Sequence, residues 1–334
     1  LHLCDRRQRQ MCIRDRYIGI IGGTGTIGSI IVKYLLQLQT HFHVLIGGRR
    51  SIKEISMSTF YNSERLKYNQ MNYNNDVELD NFCSQCLLVI NAVGPSFKIN
   101  DKIALHALRN NCHYIDIGGY GILRDLLKPY EKSIEAQKLC FIIGVGWMPG
   151  ISGVFSKTII ETHLNSPENT NFNIYYGAVD NWSYSSTYDL AASSMGKTRS
   201  YVYSHGKEIQ VSPFRYTHHK FFPFIGHKKI CMPSFDEQLT QLATSLKQIR
   251  KISTFIMLND YISMGKFMFI KIFYKHNLNK ATLMLQDDYQ RLVKKENKWG
   301  SVICQVSKIE PERKIDTFLS LIHISEPTRH AQIS

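Results

Sequence analysis

The stretch from Ile18 to Leu36 reads IGIIGGTGTIGSIIVKYLL and constrains this chain more than any other. An apolar strand-like run, 17–21, leads directly into glycines at 23, 25 and 28, and a helical pattern follows with no intervening linker. In a strand–turn–helix unit each glycine of a G-x-G-x-x-G loop has a separate task. Gly23 permits the tight turn, Gly25 lets backbone approach a pyrophosphate, and Gly28 lets the helix pack closely on the strand. Gly22 supplies a second frame, Gly22-x-x-Gly25-x-x-Gly28. The helix start would offer free N–H groups and partial positive charge to the phosphates. Gly22, Gly23, Thr24, Gly25, Thr26, Ile27 and Gly28 are therefore the first candidate cofactor contacts. The plainer reading, glycines serving a turn alone, fits the wider context less well.

That context is an alternation of short apolar segments with helical patterns. Strands are expected at 17–22, 42–47, 66–71, 87–93, 113–117 and 139–145, with helices near 26–39, 51–63, 76–84, 101–111, 121–137 and 151–163. Repeated βα units of this kind make a parallel sheet covered on both faces. The expected fold class is α/β, a Rossmann-like doubly wound parallel sheet, followed by a second α+β domain. LNSPENTN, 164–171, marks the edge between them. Beyond it NFNIYYGAV and RSYVYSHGKEIQV read as strands and DEQLTQLATSLKQI as a helix. Met11–Arg16 and Leu319–Arg329 resemble translated sequencing-adapter sequence. Residues 1–16 and 318–334 are accordingly expected to pack against nothing. The domains expected are 17–163 for nucleotide binding and 164–317 for substrate and dimerisation.

The end of the second strand selects among nucleotides. An NAD-binding loop places Asp or Glu about 20 residues beyond the glycines. Here the strand ends VLIGGRR, with no acid and with Arg49 and Arg50. Guanidinium groups make bidentate, charge-assisted bonds to phosphate, so NADP is favoured over NAD, with one of the two arginines left as a solvated loop charge. The formal net charge of +14 suits anionic ligands as well. No Lys/Arg run reaches the length of a nucleic-acid-binding patch, and no apolar run is long enough for a membrane-spanning helix. Cys83, Cys86, Cys112, Cys140, Cys231 and Cys304 mostly sit in apolar runs and read as free thiols of a reducing, cytoplasmic compartment.

INAVGP, HYIDIGG and GVGWMPGIS follow the glycine loop in that order. In this the chain resembles the saccharopine dehydrogenase-like oxidoreductases, well over 17–163 and more weakly over 172–310. The resemblance implies a Rossmann domain holding NADP or NAD and a second α/β domain with substrate contacts and often subunit contacts, which leaves a homo-oligomer open. It also implies that Arg49 lies at the 2′-phosphate and that Asn91, Ala92, Val93, Gly94 and Pro95 form a loop running along the cofactor. Asp116 matches an acidic position at a strand's carboxyl end, and Trp147-Met148-Pro149-Gly150 a turn into the interdomain helix.

Asp116 and Tyr120 are the candidates for acid/base work because both are expected at the carboxyl edge of the sheet, with capping and packing as the alternative. Tyr203 and Lys207 have the YxxxK spacing of short-chain dehydrogenases, but β-prone residues around His205-Gly206 predict a hairpin that separates them. Cys83-x-x-Cys86 lacks the further ligands of a zinc site, so no metal is expected. His218, His219 and His227 read as surface or pocket-lining residues. Tyr261–Lys275, apolar and basic, fits burial against the second domain better than contact with a membrane surface or a subunit. The expected function is NADP-dependent hydride transfer to or from a small substrate of open identity, with the basic surface suiting an anionic one. The alternative is a non-catalytic NADP-binding sensor or regulatory subunit.

Overall fold

The computed structural model describes residues 16–38, 41–51, 63–119, 121–163, 170–195, 200–223, 225–234, 237–308 and 315–322. The chain divides into two compact units between Gly146 and Trp147.

The first unit contains β1 (Tyr17–Ile21), α1 (Thr26–Gln37), β2 (Val44–Gly48), β3 (Leu66–Gln70), α2 (Asp76–Cys83), β4 (Cys86–Asn91), α3 (Ser96–Ile99), α4 (Lys102–Arg109), β5 (His113–Asp116), α5 (Gly121–Leu127), α6 (Glu131–Ala136) and β6 (Phe141–Ile142). The helix expected near 51–63 falls outside the described residues, apart from its ends. Strand order is β3-β2-β1-β4-β5-β6, with every pairing parallel. Alternation along β1 sends Ile20 to one face, with Val32 of α1, and Ile21 to the other, with Leu79, Phe82 and Ile103. Helices therefore cover both faces, as the near-continuous apolar strands predicted. Asn75 caps α2 by accepting from the N–H groups of Val77 and Glu78, at 3.1 and 3.4 Å.

The second unit contains α7 (Ile151–His163), β7 (Thr170–Val179), α8 (Tyr184–Met195), β8 (Tyr201–Ser204), β9 (Lys207–Gln210), α9 (Pro213–Tyr216), β10 (His218–Phe222), β11 (His227–Pro233), α10 (Glu237–Ser245), β12 (Lys251–Leu258), α11 (Tyr261–Phe273), α12 (Leu278–Val293), β13 (Trp299–Lys308) and β14 (Ile315–Ile322). Its sheet runs β10-β11-β12-β7-β13-β14, with β8 and β9 joined at the side of β12. Only β12 and β7 pair in parallel within this path; the other neighbours are antiparallel. Phe172, Ile174 and Tyr176 face α7 and α10 through Ile159, Ile160, Leu239 and Ala243, whereas Tyr175 joins Phe222, Phe255 and Ile303.

Three expectations change here. The unit boundary lies at 146/147 rather than 163/164, because α7 packs its Ile159 and Ile160 into the second unit's core. Residues 318–322 are not loose. They continue β14, which pairs with β13 from Ser307↔Ile315 to Gly300↔Ile322, and Phe318 packs against the Phe172 cluster. Residues 1–15 and 323–334 lie outside the described residues. The stretch 261–275 is both buried and exposed: α11 buries Phe267 and Ile270 against α12 and the sheet, while Ile272 and Phe273 are 66 % and 65 % exposed. The hairpin is as expected, with Ser204 opposite Lys207 across β8 and β9. Cys83, Cys86, Cys112, Cys231 and Cys304 are buried free thiols, and Cys140 is exposed.

Charge fastens α11 to α12. Asp260 caps α11 by accepting from Ser263 N–H at 2.8 Å, and its two oxygens accept from Arg291 of α12 at 2.7 and 3.0 Å. Arg291 also meets Asp288 at 2.8 Å. Burial alone would raise the Asp260 carboxyl, but the bonds from Arg291 and Ser263 outweigh it and hold it well below the usual carboxylate range. Asp288 is buried, so removing the guanidinium leaves a carboxylate with reduced compensation. Arg291→Ala is expected to destabilise the second unit by about 2 kcal/mol in urea unfolding followed by tryptophan emission. A change within error would remove the network from the stabilising interactions. Because the Asp260 pKa is depressed on folding, its contribution is present above about pH 4 and is lost as pH falls towards the folded value. The stability gap between wild type and Asp260→Asn should narrow on acidification below that point.

Candidate functional site

Between β1 and β4 the strand order reverses direction, and their carboxyl ends leave a crevice where open α/β sheets bind ligands. The glycine loop lies on one side of it and residues 91–95 on the other. Gly22 takes φ +84°, so the tight turn is made there rather than at Gly23. A Cβ on Gly22 would also stand 2.9 Å from Val93 Cγ2 and 3.0 Å from the Ala92 backbone. The two loops therefore meet this closely because Gly22 has no side chain, and Val93 packs against its Cα. Gly28 has the packing role expected of it: a Cβ there would fall 2.2 Å from the Gly22 carbonyl oxygen. Helix α1 can then start directly against the turn.

Gly25 is the N-cap of α1, with φ −82° and ψ 175°, and no side chain caps the helix. A Cβ on it would have Gly22 O at 3.2 Å as its nearest neighbour, with no other heavy atom within 4 Å among the described residues. The first-turn amides at Thr26, Ile27 and Gly28 thus sit beside open space that a glycine keeps clear. An uncapped helix start with a clear approach suits a phosphate. The nucleotide implied by the sequence pattern fits this cradle.

β2 ends beside the same loop, since a Cβ on Gly48 would stand 3.5 Å from Thr24 Oγ1. Arg49 and Arg50 follow with exposed side chains. Their backbone carbonyls are fixed, accepting from Gln70 Nε2 at 3.3 Å and from Tyr68 OH at 2.6 Å. Among the described residues neither guanidinium pairs with a carboxylate, so both can meet an anion.

The loop after β4 is held from beneath. Asn91 is buried, donates from Nδ2 to Asp116 Oδ2 at 2.9 Å, and accepts at Oδ1 from Val93 N–H at 3.0 Å. Tyr114 OH donates to the same Asp116 oxygen at 2.5 Å. Sequence reasoning missed Tyr114, whose alternation with Asp116 along β5 was the available signal. Burial pushes the Asp116 carboxyl above its ordinary value, and bonds from Tyr114, Asn91 and the Gly118 N–H pull the other way. Asp116 is 2 % exposed, and the cavity it shares with Asn91, Ser96 and Leu123 is about 10 Å³, room for about one water. That arrangement suits a residue that positions Asn91 and Val93. Tyr120, the other acid/base candidate, lies outside the described residues. Trp147 and Met148 pack within the second unit, and Gly150 N–H donates to Gln238 Oε1 of α10 at 2.8 Å. No group of three or more His, Cys, Asp or Glu side chains is placed to hold a metal among the described residues.

Comparison with known proteins agrees with this geometry. Residues 18–140 match the family model described as the saccharopine dehydrogenase NADP binding domain. Among solved structures, the apo saccharopine dehydrogenase (L-Glu forming) of Saccharomyces cerevisiae is similar with a TM-score of 0.61 and 14% identity, covering 92% of this chain and 85% of that one. It shares the fold. A short-chain dehydrogenase/reductase of Veillonella parvula in complex with NADP matches over 38% of this chain and 67% of its own, with 18% identity and a TM-score of 0.30. No curated protein matches the sequence. A parallel sheet in the order 3-2-1-4-5-6, a glycine cradle at its switch point and an arginine pair at the end of β2 thus lie within or beside residues 18–140, the stretch that matches the saccharopine dehydrogenase NADP binding domain.

Proposed function

We propose that this protein is an NADP-dependent oxidoreductase acting on a small-molecule substrate. The observation that carries the reading is the pairing of an open glycine cradle at Gly25 with an acid-free strand end bearing Arg49 and Arg50. Bound NADP supplies the hydride chemistry, and the protein supplies binding, orientation and electrostatics. Amides of Thr26, Ile27 and Gly28 would hold the pyrophosphate, and Arg49 or Arg50 the 2′-phosphate. The backbone of Ala92 to Pro95, set by Asn91 and Asp116, would orient the remainder. A second reading, a non-catalytic NADP-binding sensor or regulatory subunit, is supported by the engagement of Asp116 with Tyr114 and Asn91, which leaves that carboxylate without access to a substrate. Turnover separates the two: a substrate panel followed by NADPH fluorescence shows consumption for an oxidoreductase and binding alone for a sensor.

The arginine pair predicts preference. NADPH should bind more tightly than NADH, and Arg49→Ala together with Arg50→Ala should weaken NADPH by about tenfold or more while leaving NADH nearly unchanged. Titration of both nucleotides checks this, and equal affinities in the wild type would sink it.

Two glycines predict opposite failures. Gly25 has an ordinary negative φ and little around its Cβ direction, so Gly25→Val should fold yet lose roughly thirtyfold or more in NADPH affinity, about 2 kcal/mol. Its melting temperature without nucleotide should stay near that of wild type and should not rise with NADPH. Gly28→Val forces a side chain into backbone and should lower the melting temperature even without nucleotide. A Gly25→Val protein that binds NADPH normally would reduce the loop to a turn.

A further inference from the structure

We propose that the second unit binds a neutral, largely hydrocarbon small molecule in a cavity of its own. The cavity is about 50 Å³, some five times the volume of the one at Asp116. Trp147, Met148, Trp182, Met257, Phe267 and Leu285 form much of its wall. They come from the turn before α7, the segment before α8, β12, α11 and α12, so the cavity is built by packing several elements around it. Protein interiors close voids wherever side chains can reach, so a space left open between apolar walls is a place where a small hydrocarbon group can enter.

The wall is stiff as well as apolar. The Trp182 ring stacks on Tyr289 with centroids 4.7 Å apart and planes 9° from parallel, and both residues line the space. A fixed aromatic stack offers a flat hydrophobic surface with little rotamer freedom to lose on binding.

Charge decides the class of ligand. Among the described residues the lining includes no Lys, Arg or His, and its carboxylate, Asp288, is already compensated. Arg291 meets Asp288 at 2.8 Å and Lys266 at 3.3 Å. Those cations are engaged elsewhere too, Arg291 with both oxygens of Asp260 and Lys266 with Asp287 at 2.8 Å. An anionic ligand would leave water for a site with no free positive partner and one negative neighbour, which is costly. A neutral ligand loses little there. Asn259 and Ser263 on the wall can orient one polar atom of it. The chain's overall positive charge has no counterpart at this wall. The inference does not rest on nucleotide binding, because every residue in it belongs to the second unit.

The test compares two probes of the same ring system on the full-length protein: neutral N-phenyl-1-naphthylamine and anionic 8-anilinonaphthalene-1-sulfonate. The neutral probe should bind saturably at one site, quench tryptophan emission by energy transfer, and bind at least about tenfold more tightly than the anion. Decan-1-ol should displace it. Ala178→Phe, which fills the space from β7, should weaken the neutral probe by about tenfold while retaining the wild-type far-UV circular dichroism. If that variant does not fold, displacement by decan-1-ol against decanoate on the wild type decides, the alcohol competing and the acid not. Ile272→Ser, on the exposed face of α11, should leave binding unchanged. Equal affinity for the two probes, binding without saturation, or loss in Ile272→Ser but not in Ala178→Phe would overturn the proposal. NADPH titration of the same samples keeps the two sites apart: a failed nucleotide titration with intact probe binding would remove the oxidoreductase reading and leave this one standing.

Discussion

The first unit depends on one close approach, that of Gly28 to the Gly22 carbonyl. With 2.2 Å between that oxygen and the place a Cβ would occupy, no other residue fits without moving backbone. The contact seats α1 on the turn after β1 and so aims the helix start at the switch point of the sheet. The phosphate recognition proposed for this loop depends on that aim, since helix amides act over the first turn only. The same glycine-permitted proximity joins the turn to the second loop, where Gly22 lies against Ala92 and Val93. Asp116 and Tyr114, two strands away from the glycines, then influence the crevice through Asn91, although the small cavity at Asp116 has no room for a substrate.

Much of the first unit could be read in the sequence because its physics is local. Parallel strands buried on both faces are continuous apolar runs, and the turns between them bear their own glycine and asparagine signals. β1 to β5 appeared within a few residues of their expected places, and β6 as a shorter piece of its run. The second unit was less legible. β14 pairs along its whole length with β13, yet its sequence at 318–322 resembles material foreign to any fold; pairing across a ladder asks only for backbone groups and an alternating face, which such a sequence can supply. The boundary at 146/147 was missed because α7 differs from the Rossmann helices only in which sheet it covers, and that is a tertiary property.

The site was legible in its backbone elements and less so in its side chains. Glycine positions and the arginine pair carry their chemistry in residue type and spacing. Asp116 does not: an acid at a strand's carboxyl end can face solvent as a proton donor or lie beneath a loop as an anchor, and here Tyr114 and Asn91 both donate to Oδ2 while Oδ1 is buried as well. Tyr203 and Lys207 show the reverse case, where local β-propensity around His205-Gly206 was enough to reject a familiar spacing, and the hairpin register separates the pair by strand rather than by helical turn.

The two units answer charge in opposite ways. At the end of β2 the guanidinium groups of Arg49 and Arg50 have no carboxylate partner among the described residues and are exposed, as the proposed contact with a nucleotide phosphate requires. In the second unit Arg291 and Lys266 are committed to Asp260, Asp287 and Asp288, so their charge is spent on fastening α11 to α12 and the space those helices border is left to apolar side chains. A net positive chain therefore need not mean an anionic substrate. Basic residues can serve two ends that the total cannot distinguish, recognition where they are unpaired and scaffolding where they are paired, and the distribution of carboxylates decides between them.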